Sequence, residues 1–420
     1  MSAGRLINIG KYVKGLLMVV SLSTFSFFES CIYDSVDSEA AAPSEPYYVQ
    51  FRLEPGKTSG TRAVDDDAFD GENHPSEPGI AAESYISFSD MRIFLFNGAD
   101  GIFLEELRPQ PTLNDPTTFT AQLNVRPEYL EDKSGNISLT IMVLANWESI
   151  TPGSYRSVLP GTVNNMETKG GYTFERKNDW KPEDRVRGIP MYGRQEFKGI
   201  TKALLESSSK DAPLLLYSDG SSKTDYQKDI KLLRSLAKFE IADAIEGKDA
   251  NGFPKIISLN LLNYRSNGLF IPKPESFGGQ YNQVNNVSLP SGETVGQTLE
   301  LKKGPRYNTT EDGYGSDWDS KFTDGWWTTY LPEMLYTPSE SNFKIQATVQ
   351  YSSDPQNTGI LEAPMPGFNI DGTTLKGMIL RNHIYRLEIG LQEVPQNTVL
   401  TLKYGICPWV EETINIPPFD

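Results

Sequence analysis

Few side chains in this sequence could carry out chemistry themselves. The 420 residues include two cysteines, Cys31 and Cys407, and two histidines, His74 and His383. That leaves too few ligands for a histidine-rich metal site, and no Ser-His-Asp arrangement is supported around either histidine. The Asp-rich stretches at 65–70 and 312–324 lack the D-x-D-x-D-G register that wraps a calcium ion, so they read as solvated loops. Neither a phosphate loop nor a dinucleotide fingerprint is present. Cys407 precedes Pro408-Trp409 with no histidine nearby and reads as an inert thiol. The expectation is therefore no catalytic residue, no metal and no cofactor: a chain that is not an enzyme. What remains is chemistry done to the chain, at the thiol of Cys31 and at the Arg62-Ala63 peptide bond.

The surroundings of Cys31 point to acylation. Arg5, Lys11 and Lys14 form a basic leader, and residues 15–28 are apolar but shorter than the ~20 residues that span a bilayer. Residues 1–30 are thus expected to be a signal peptide and to take no part in the fold. The leader runs into Phe28-Glu29-Ser30-Cys31. A small residue directly before a cysteine is what a lipoprotein signal peptidase uses; the thiol is acylated and the chain is cut before it. Glu29 departs from the small or aliphatic residue usual there, and the competing reading is a plain secretory signal with an incidental cysteine. Asp34, Asp37 and Glu39 follow, an acidic run that resembles the surface-export tag of Bacteroidetes lipoproteins. An acyl anchor of this kind holds through ~0.8 kcal/mol per buried methylene. Residues 35–46 are small, acidic and Pro-containing, as a flexible tether is. A disulfide between the two cysteines is formally possible, but a secreted disulfide framework would use more of them.

Next comes an alternating segment. Tyr47, Val49, Phe51 and Leu53 point one way, and Tyr48, Gln50 and Arg52 the other, which predicts a half-buried strand ended by Glu54-Pro55-Gly56. The loop Lys57-Thr58-Ser59-Gly60-Thr61-Arg62-Ala63 then offers one arginine among small residues, where a trypsin-like protease could cut. By itself that describes any loop arginine. Taken in order, the acylatable cysteine, tether, single strand, Ser/Thr/Gly loop and Arg-Ala resemble the precursors of Bacteroidales fimbrillins, the subunits of type V pili. The resemblance implies that an Arg-specific surface protease cuts between Arg62 and Ala63. It implies too that the strand bearing Tyr47, Val49, Phe51 and Leu53 is removed with the lipid, and that a strand of the next subunit fills the groove.

The rest of the chain reads as strands and turns. Its 35 Gly, 28 Pro, 20 Tyr and 20 Phe suit a β-rich, turn-rich fold. Strands are expected over 84–96 with a slip in phase, over 119–125, and over 137–147, the last apolar enough to be buried on both faces. Asn97-Gly98-Ala99-Asp100-Gly101 should form a hairpin turn. Further strands are expected over 232–241, 256–263, 271–272, 326–332, 343–351 and 382–391; the best helix candidate, an ambiguous one, is 225–236. Several short phrases are similar to the fimbrillin pattern: Ala145-Asn146-Trp147, Ile189-Pro190-Met191-Tyr192-Gly193, the strand around Arg234 to Lys238, and Arg381-Asn382-His383-Ile384-Tyr385-Arg386-Leu387. The length and the resemblance together imply an all-β protein of two transthyretin-like, Greek-key β-sandwich domains in tandem. The expected division is a signal peptide (1–30), a lipidated pro-segment (31–62), an N-terminal sandwich (63–227) and a C-terminal sandwich (228–420).

Near the C-terminus Leu400, Leu402, Tyr404 and Ile406 share one face, Pro408-Trp409 is expected to break the strand, and Ile414 and Ile416 alternate beyond it. A donated strand needs every second residue apolar, which makes these residues, with Trp409, a candidate donor. An inward strand of the chain's own second domain has the same pattern, and both remain open.

The formal net charge of -16 is spread along the chain and excludes a general nucleic-acid binder. Trp318, Trp326, Trp327 and Tyr330 could stack sugars but read better as core. The expected partners are other fimbrial subunits, the Arg-specific protease, the outer membrane through the lipid, and ligands on host or bacterial surfaces. The expected location is the cell surface, whether as shaft, tip or anchor. The alternative is a surface glycan-binding outer-membrane lipoprotein, which would have no use for a protease site after a single strand.

Overall fold

The computed structural model describes residues 46–55, 77–78, 86–112, 115–146, 173–175, 188–218, 224–271, 297–303, 327–336, 342–369, 375–395 and 397–410. All of them belong to the compact unit Glu45–Asp420. The first strands are β1 (Tyr47–Pro55), β2 (Glu77–Pro78), β3 (Arg92–Asn97), β4 (Phe103–Leu107), β5 (Gln110–Pro111) and β6 (Thr118–Leu123). They are followed by β7 (Ile137–Ala145), β8 (Thr173–Glu175), β9 (Met191–Ile200), β10 (Leu214–Leu215) and β11 (Ile230–Arg234). Next come β12 (Leu236–Asp243), β13 (Lys255–Leu262), β14 (Asn267–Leu269), β15 (Thr298–Lys303), β16 (Trp327–Pro332) and β17 (Met334–Leu335). The last are β18 (Lys344–Gln350), β19 (Thr358–Pro364), β20 (Phe368–Asn369), β21 (Leu375–Lys376), β22 (Met378–Ile379), β23 (His383–Val394) and β24 (Asn397–Val410). One short helix, Lys202–Glu206, is capped by the Thr201 hydroxyl. No helix among the described residues is long and apolar enough to cross a membrane.

The protein is all-β, as the alternation predicts. One sheet has the order β4-β3-β7-β9-β11-β1-β6-β5, with β10 also on β1. A second has the order β19-β18-β13-β15-β16-β12-β23-β24-β2. Each encloses its own apolar core. Phe51, Phe119, Leu139 and Ile141 meet in the first; Phe239, Leu259, Ile345 and Leu387 meet in the second. Strand β18 shows the pattern plainly: Ile345, Ala347 and Val349 are buried, and their neighbours are partly exposed. Strand β7 is buried at every position, because it runs between β3 and β9 with both faces covered. Its outward side chains Met142 and Leu144 join Phe94, Tyr192, Leu236 and Ile384 in a third cluster, which binds the two sheets together.

That junction is also where the short fimbrillin-like phrases converge. Asn146 and Asn382 both have positive φ, 60° and 57°, which asparagine tolerates better than most residues. The Asn146 amide donates to Ile189 O (2.7 Å) and its side-chain oxygen accepts from Ser87 N (2.9 Å). The Asn382 N–H reaches Leu236 O (2.8 Å), and its side-chain oxygen accepts from the Arg234 guanidinium (3.1 Å). Ser235 donates its N–H to Pro190 O (2.7 Å) and its hydroxyl to Phe270 O (3.0 Å). Gly193 has to be glycine, because a Cβ there would lie 2.6 Å from Leu232 Cδ2 and 2.7 Å from Lys231 O.

Buried ions line the same region. Arg381 makes a two-pronged pair with Glu333 (2.8 and 2.7 Å) and donates as well to Phe270 O and Leu269 O (2.9 and 2.7 Å). Glu240 pairs with Lys238 (2.8 Å) and Arg386 (2.8 Å). Burial favours the protonated acid, but the two cations outweigh it and hold the Glu240 carboxyl down at about 2.

Four expectations are corrected. The segment 232–241 is two strands, β11 and β12, because at Ser235 the chain crosses from one sheet to the other. The helix candidate 225–236 is a turn leading into β11, where Ile230 and Leu232 are buried on either side of exposed Lys231. Ile271, expected to begin a strand with Pro272, is not in one; β14 ends at Leu269, the Phe270 carbonyl is taken by Arg381 and Ser235, and Pro272 lies outside the described residues. Pro408-Trp409 does not break the last strand, for β24 continues to Val410. A strand tolerates a proline where one edge is unpaired, and β2 covers β24 only at Trp409 and Val410.

Two outcomes follow from the junction. Asn382→Ala should lower stability by about 2–3 kcal/mol, read as a shift in denaturation midpoint, since it removes a buried acceptor and strains a positive-φ position. Glu240→Gln at neutral pH should be worse, by about 3–5 kcal/mol, because it breaks up a buried ion cluster. The folded-state value of Glu240 lies below the ordinary glutamate value, so its contribution is complete above pH ~4.5 and is lost as pH falls toward ~2. The gap between wild type and Glu240→Gln should close over that interval.

Candidate functional site

The site is the slot that holds β1. Val49 and Phe51 are fully buried and Leu53 is 1% exposed, so the alternating face predicted from sequence is the floor of the first core. Tyr47 is half-buried at the rim and packs against that core. The Phe51 ring stacks on Phe119, with centroids 5.9 Å apart, and Phe119 stacks in turn on Phe88 at 6.0 Å. Burying Val, Phe and Leu in this way contributes about 1.5–3 kcal/mol each.

Both edges of β1 are bonded. On one side β6 runs antiparallel to it, in a register from Tyr47 opposite Leu123 to Arg52 opposite Thr118. On the other side two strands share the edge in succession, both parallel to β1. Val49 and Gln50 lie beside Leu214 and Leu215 of β10, and Leu53 to Pro55 lie beside Ile230 to Leu232 of β11. Between these stretches Leu216 N donates to Gln50 O (2.8 Å), and Leu53 N donates to Thr117 O (2.9 Å) on the β6 side. Tyr48 N donates to the Ser208 hydroxyl (3.0 Å), just beyond the short helix. An N-terminal strand has thus become an interior strand.

The outer face of β1 is polar and specific. The Gln50 amide donates to the Thr120 hydroxyl (3.0 Å) and its oxygen accepts from the Tyr217 hydroxyl (2.9 Å). Arg52 forms a two-pronged pair with Asp229 (2.8 and 3.0 Å), and its guanidinium carbon lies 5.0 Å above the Tyr217 ring. The Asp229 hydrogen bond raises the Arg52 guanidinium above its ordinary value, against burial, which lowers it. Burial, with Asp229 close by, raises the Glu54 carboxyl although Arg52 stands 3.6 Å away. Asp115 steadies the turn before β6 by accepting from Thr117 N (2.9 Å) and from the Thr117 and Thr118 hydroxyls (2.6 and 2.7 Å). Burial opposes its ionisation, but those hydrogen bonds prevail and lower its carboxyl.

The candidate donor is elsewhere. Strand β24 pairs antiparallel with β23 along its length, from Asn397 opposite Val394 to Pro408 opposite His383. Leu400 is buried in the second core and Leu402 packs against that core half-buried. Tyr404, Ile406 and Trp409 lie on β24 at backbone positions opposite Leu387, Tyr385 and, for Trp409, Glu77 of β2. In this structure the segment is therefore an inward strand of the chain's own second sheet. Cys31, Arg62, Ala63, Ile414 and Ile416 lie outside the described residues, as do His74, Trp318, Trp326 and both Asp-rich stretches. Trp327 and Tyr330 are buried, each 2% exposed, and serve as core side chains. His383 is buried as well: its Nδ1 lies 2.7 Å from Arg381 O, and burial lowers its pKa. Among the described residues, no group of three or more His, Cys, Asp or Glu is placed to hold a metal ion.

Sequence reading missed the partners of the polar face. Arg52 and Asp229 are 177 residues apart, and Tyr217 and Gln50 are 167 apart. No spacing rule connects positions so distant; the one sign in the sequence is the cation Arg52 on the polar side of Tyr47–Leu53.

Fold and site together define an all-β protein that keeps its N-terminal strand in an interior slot of its first sheet. No known family profile matches the sequence, and no curated protein matches it. Among solved structures the chain is similar to the tip fimbrial protein Mfa3 from Porphyromonas gingivalis with C-terminal truncation, at 14% identity and TM-score 0.45, over 87% of this chain and 100% of that one. It is similar to the fimbrilin FimA from P. gingivalis W83, at 12% identity and TM-score 0.44, over 87% of this chain and 98% of that one. It is similar also to a fimbrial assembly protein from Parabacteroides distasonis, at 12% identity and TM-score 0.35, over 85% of this chain and 95% of that one.

Phe51→Ala should lower the stability of the uncut protein by about 3–5 kcal/mol, because it empties a fully buried site stacked on Phe119. Tyr48→Ala, on the opposite face, should cost less than ~1 kcal/mol. Denaturant midpoints of the two variants measure the difference.

Proposed function

We propose that this chain is a structural subunit of a cell-surface fimbria, exported as a lipoprotein, cut after Arg62 and assembled by strand exchange. The observation that carries this reading is the interior position of β1. It is followed directly in sequence by the loop holding Arg62, and its apolar face fills the first core. Cutting that loop would leave β1 held by non-covalent contacts alone. Its departure would expose the edges of β6, β10 and β11 around an apolar floor, a surface that a strand of matching alternation can fill. While β1 stays in place the groove is covered, so the subunit does not polymerise before it reaches the surface.

In this reading Cys31 anchors the precursor to the outer membrane through its lipid until the cut, and the anchor leaves with β1. The partners are other fimbrial subunits and an Arg-specific protease, with adhesion to host or bacterial surfaces as the outcome. The chain acts by assembly and not by catalysis. The alternative as a surface glycan binder draws no support from Trp327 and Tyr330, whose rings are in the core.

Arg62→Ala should abolish processing by an Arg-specific protease and, with it, polymerisation, while leaving the fold intact by circular dichroism. Normal fibres from that variant would sink the proposal. Wild-type protein treated with the protease should yield one stable product beginning at Ala63, followed by higher oligomers on a sizing column.

A further inference from the structure

His383 is the first residue of β23 and 3% exposed, with β12 on one side of the strand and β24 on the other. Its Nδ1 lies 2.7 Å from Arg381 O. A carbonyl oxygen can only accept, so Nδ1 carries the proton and Nε2 keeps a lone pair. That Nε2 is buried and has no hydrogen-bond partner among the described residues. A second proton, placed on Nε2, would create a donor and a charge together where those residues offer no acceptor. We propose that His383 is a proton-operated release for the start of β23. In mildly acidic solution the imidazole takes up a proton at Nε2, leaves its buried seat, and frees residues 380–385 from β12 and β24.

The neighbours of His383 make its seat matter. Asn382, at positive φ, gives its N–H to Leu236 O (2.8 Å) and so fastens the start of β23 to the crossing between the sheets. Leu380 N donates to the Tyr385 hydroxyl (2.7 Å), and the Tyr385 ring stacks on Phe239 with centroids 4.9 Å apart. When the imidazole leaves, the Arg381 carbonyl loses its partner, and Arg381 is the residue whose guanidinium holds Glu333, Phe270 O and Leu269 O. Turn, strand start and crossing are thus bonded through consecutive residues.

The ionisable groups on the flanking elements do not supply the missing acceptor. Glu333, after β16, is held by Arg381, and Glu240, on β12, is held by Lys238 and Arg386. Arg234, at the end of β11, donates to Asn382. On β24, Pro408 stands opposite His383 and Cys407 opposite Ile384. Burial holds the imidazole neutral, against the Arg381 carbonyl, whose hydrogen bond favours the cation. The folded-state value therefore lies below the ordinary 6.5, so the contribution of neutral His383 is complete above pH ~6.5 and is lost as pH falls below it. Glu240 loses its contribution only in the lower window, below pH ~4.5. Glu54 is raised in the folded state, gains with acid, and has the opposite sign.

The chain's other histidine is His74, which makes the test direct. In full-length protein, hydrogen exchange of the Leu380 and Asn382 amides, corrected for intrinsic rates, is followed from pH 7.5 to 5.0. Wild type and His74→Gln should open about tenfold more readily for each pH unit below 6.5, until the folded-state value of His383 is reached. His383→Phe and His383→Asn should show no such slope above pH 5; the asparagine amide can replace the Nδ1 donor but does not titrate. An equal slope in the His383 variants, or none in wild type, overturns the proposal. Should neither variant fold, imidazole NMR of the wild type decides. A His383 ring still neutral in the folded protein at pH 6.0, with its proton on Nδ1, supports the release; one that titrates near 6.5 with the fold unchanged overturns it.

Discussion

A strand inside a sheet is bonded on both edges and, in a closed core, packed on at least one face. Taking it away leaves two rows of backbone donors and acceptors, and an apolar floor, with nothing to satisfy them. Strand β1 is in that position: β6 lies along one edge, β10 and β11 share the other, and Val49, Phe51 and Leu53 form part of the floor. The first core depends on the slot being filled. This is why β1, followed in sequence by Arg62, has significance beyond the seven alternating side chains of Tyr47–Leu53. In the proposed function, the same requirement would drive assembly once the native occupant has gone.

The second structural requirement lies where the sheets meet. Residues 234–238 pass from β11 into β12, and the turn into β23 packs beside them through Asn382 N to Leu236 O. The apolar cluster around Phe94, Tyr192 and Ile384 supplies burial there, and Arg381, Glu333, Ser235 and Phe270 supply direction. Buried ion pairs are weak as sources of net stability, but unpaired buried charges are costly, so such a network tolerates one geometry and opposes others. Two asparagines with positive φ and one glycine pressed against Leu232 complete it. Short phrases scattered over more than two hundred residues of sequence prove to be parts of one joint.

Much of the β architecture could be read directly. The buried strand β7, the hairpin turn after β3, the alternation of β1 and β18, and the run of β23 follow from period-two patterning and from Gly and Asn at turns. The misreadings share a cause. At Ser235 and at Pro408 the local sequence is compatible with more than one outcome, and neighbouring strands settle it: Pro190 and Phe270 for the crossing, β23 and β2 for the continuation. The segment 225–236 could satisfy a helical period as easily as a strand, until β9 and β1 offer edges for β11.

The sequence by itself determined which side of Tyr47–Leu53 would be apolar and that the chain would be β-built and acidic, because composition and alternation are local properties. Tertiary structure alone decided that β1 lies in the interior of its sheet, that β24 stays with β23, and that Arg52 meets Asp229 across 177 residues. Pairing partners and buried charge depend on what arrives from distant parts of the chain, and no pattern within one segment encodes the edge it will meet.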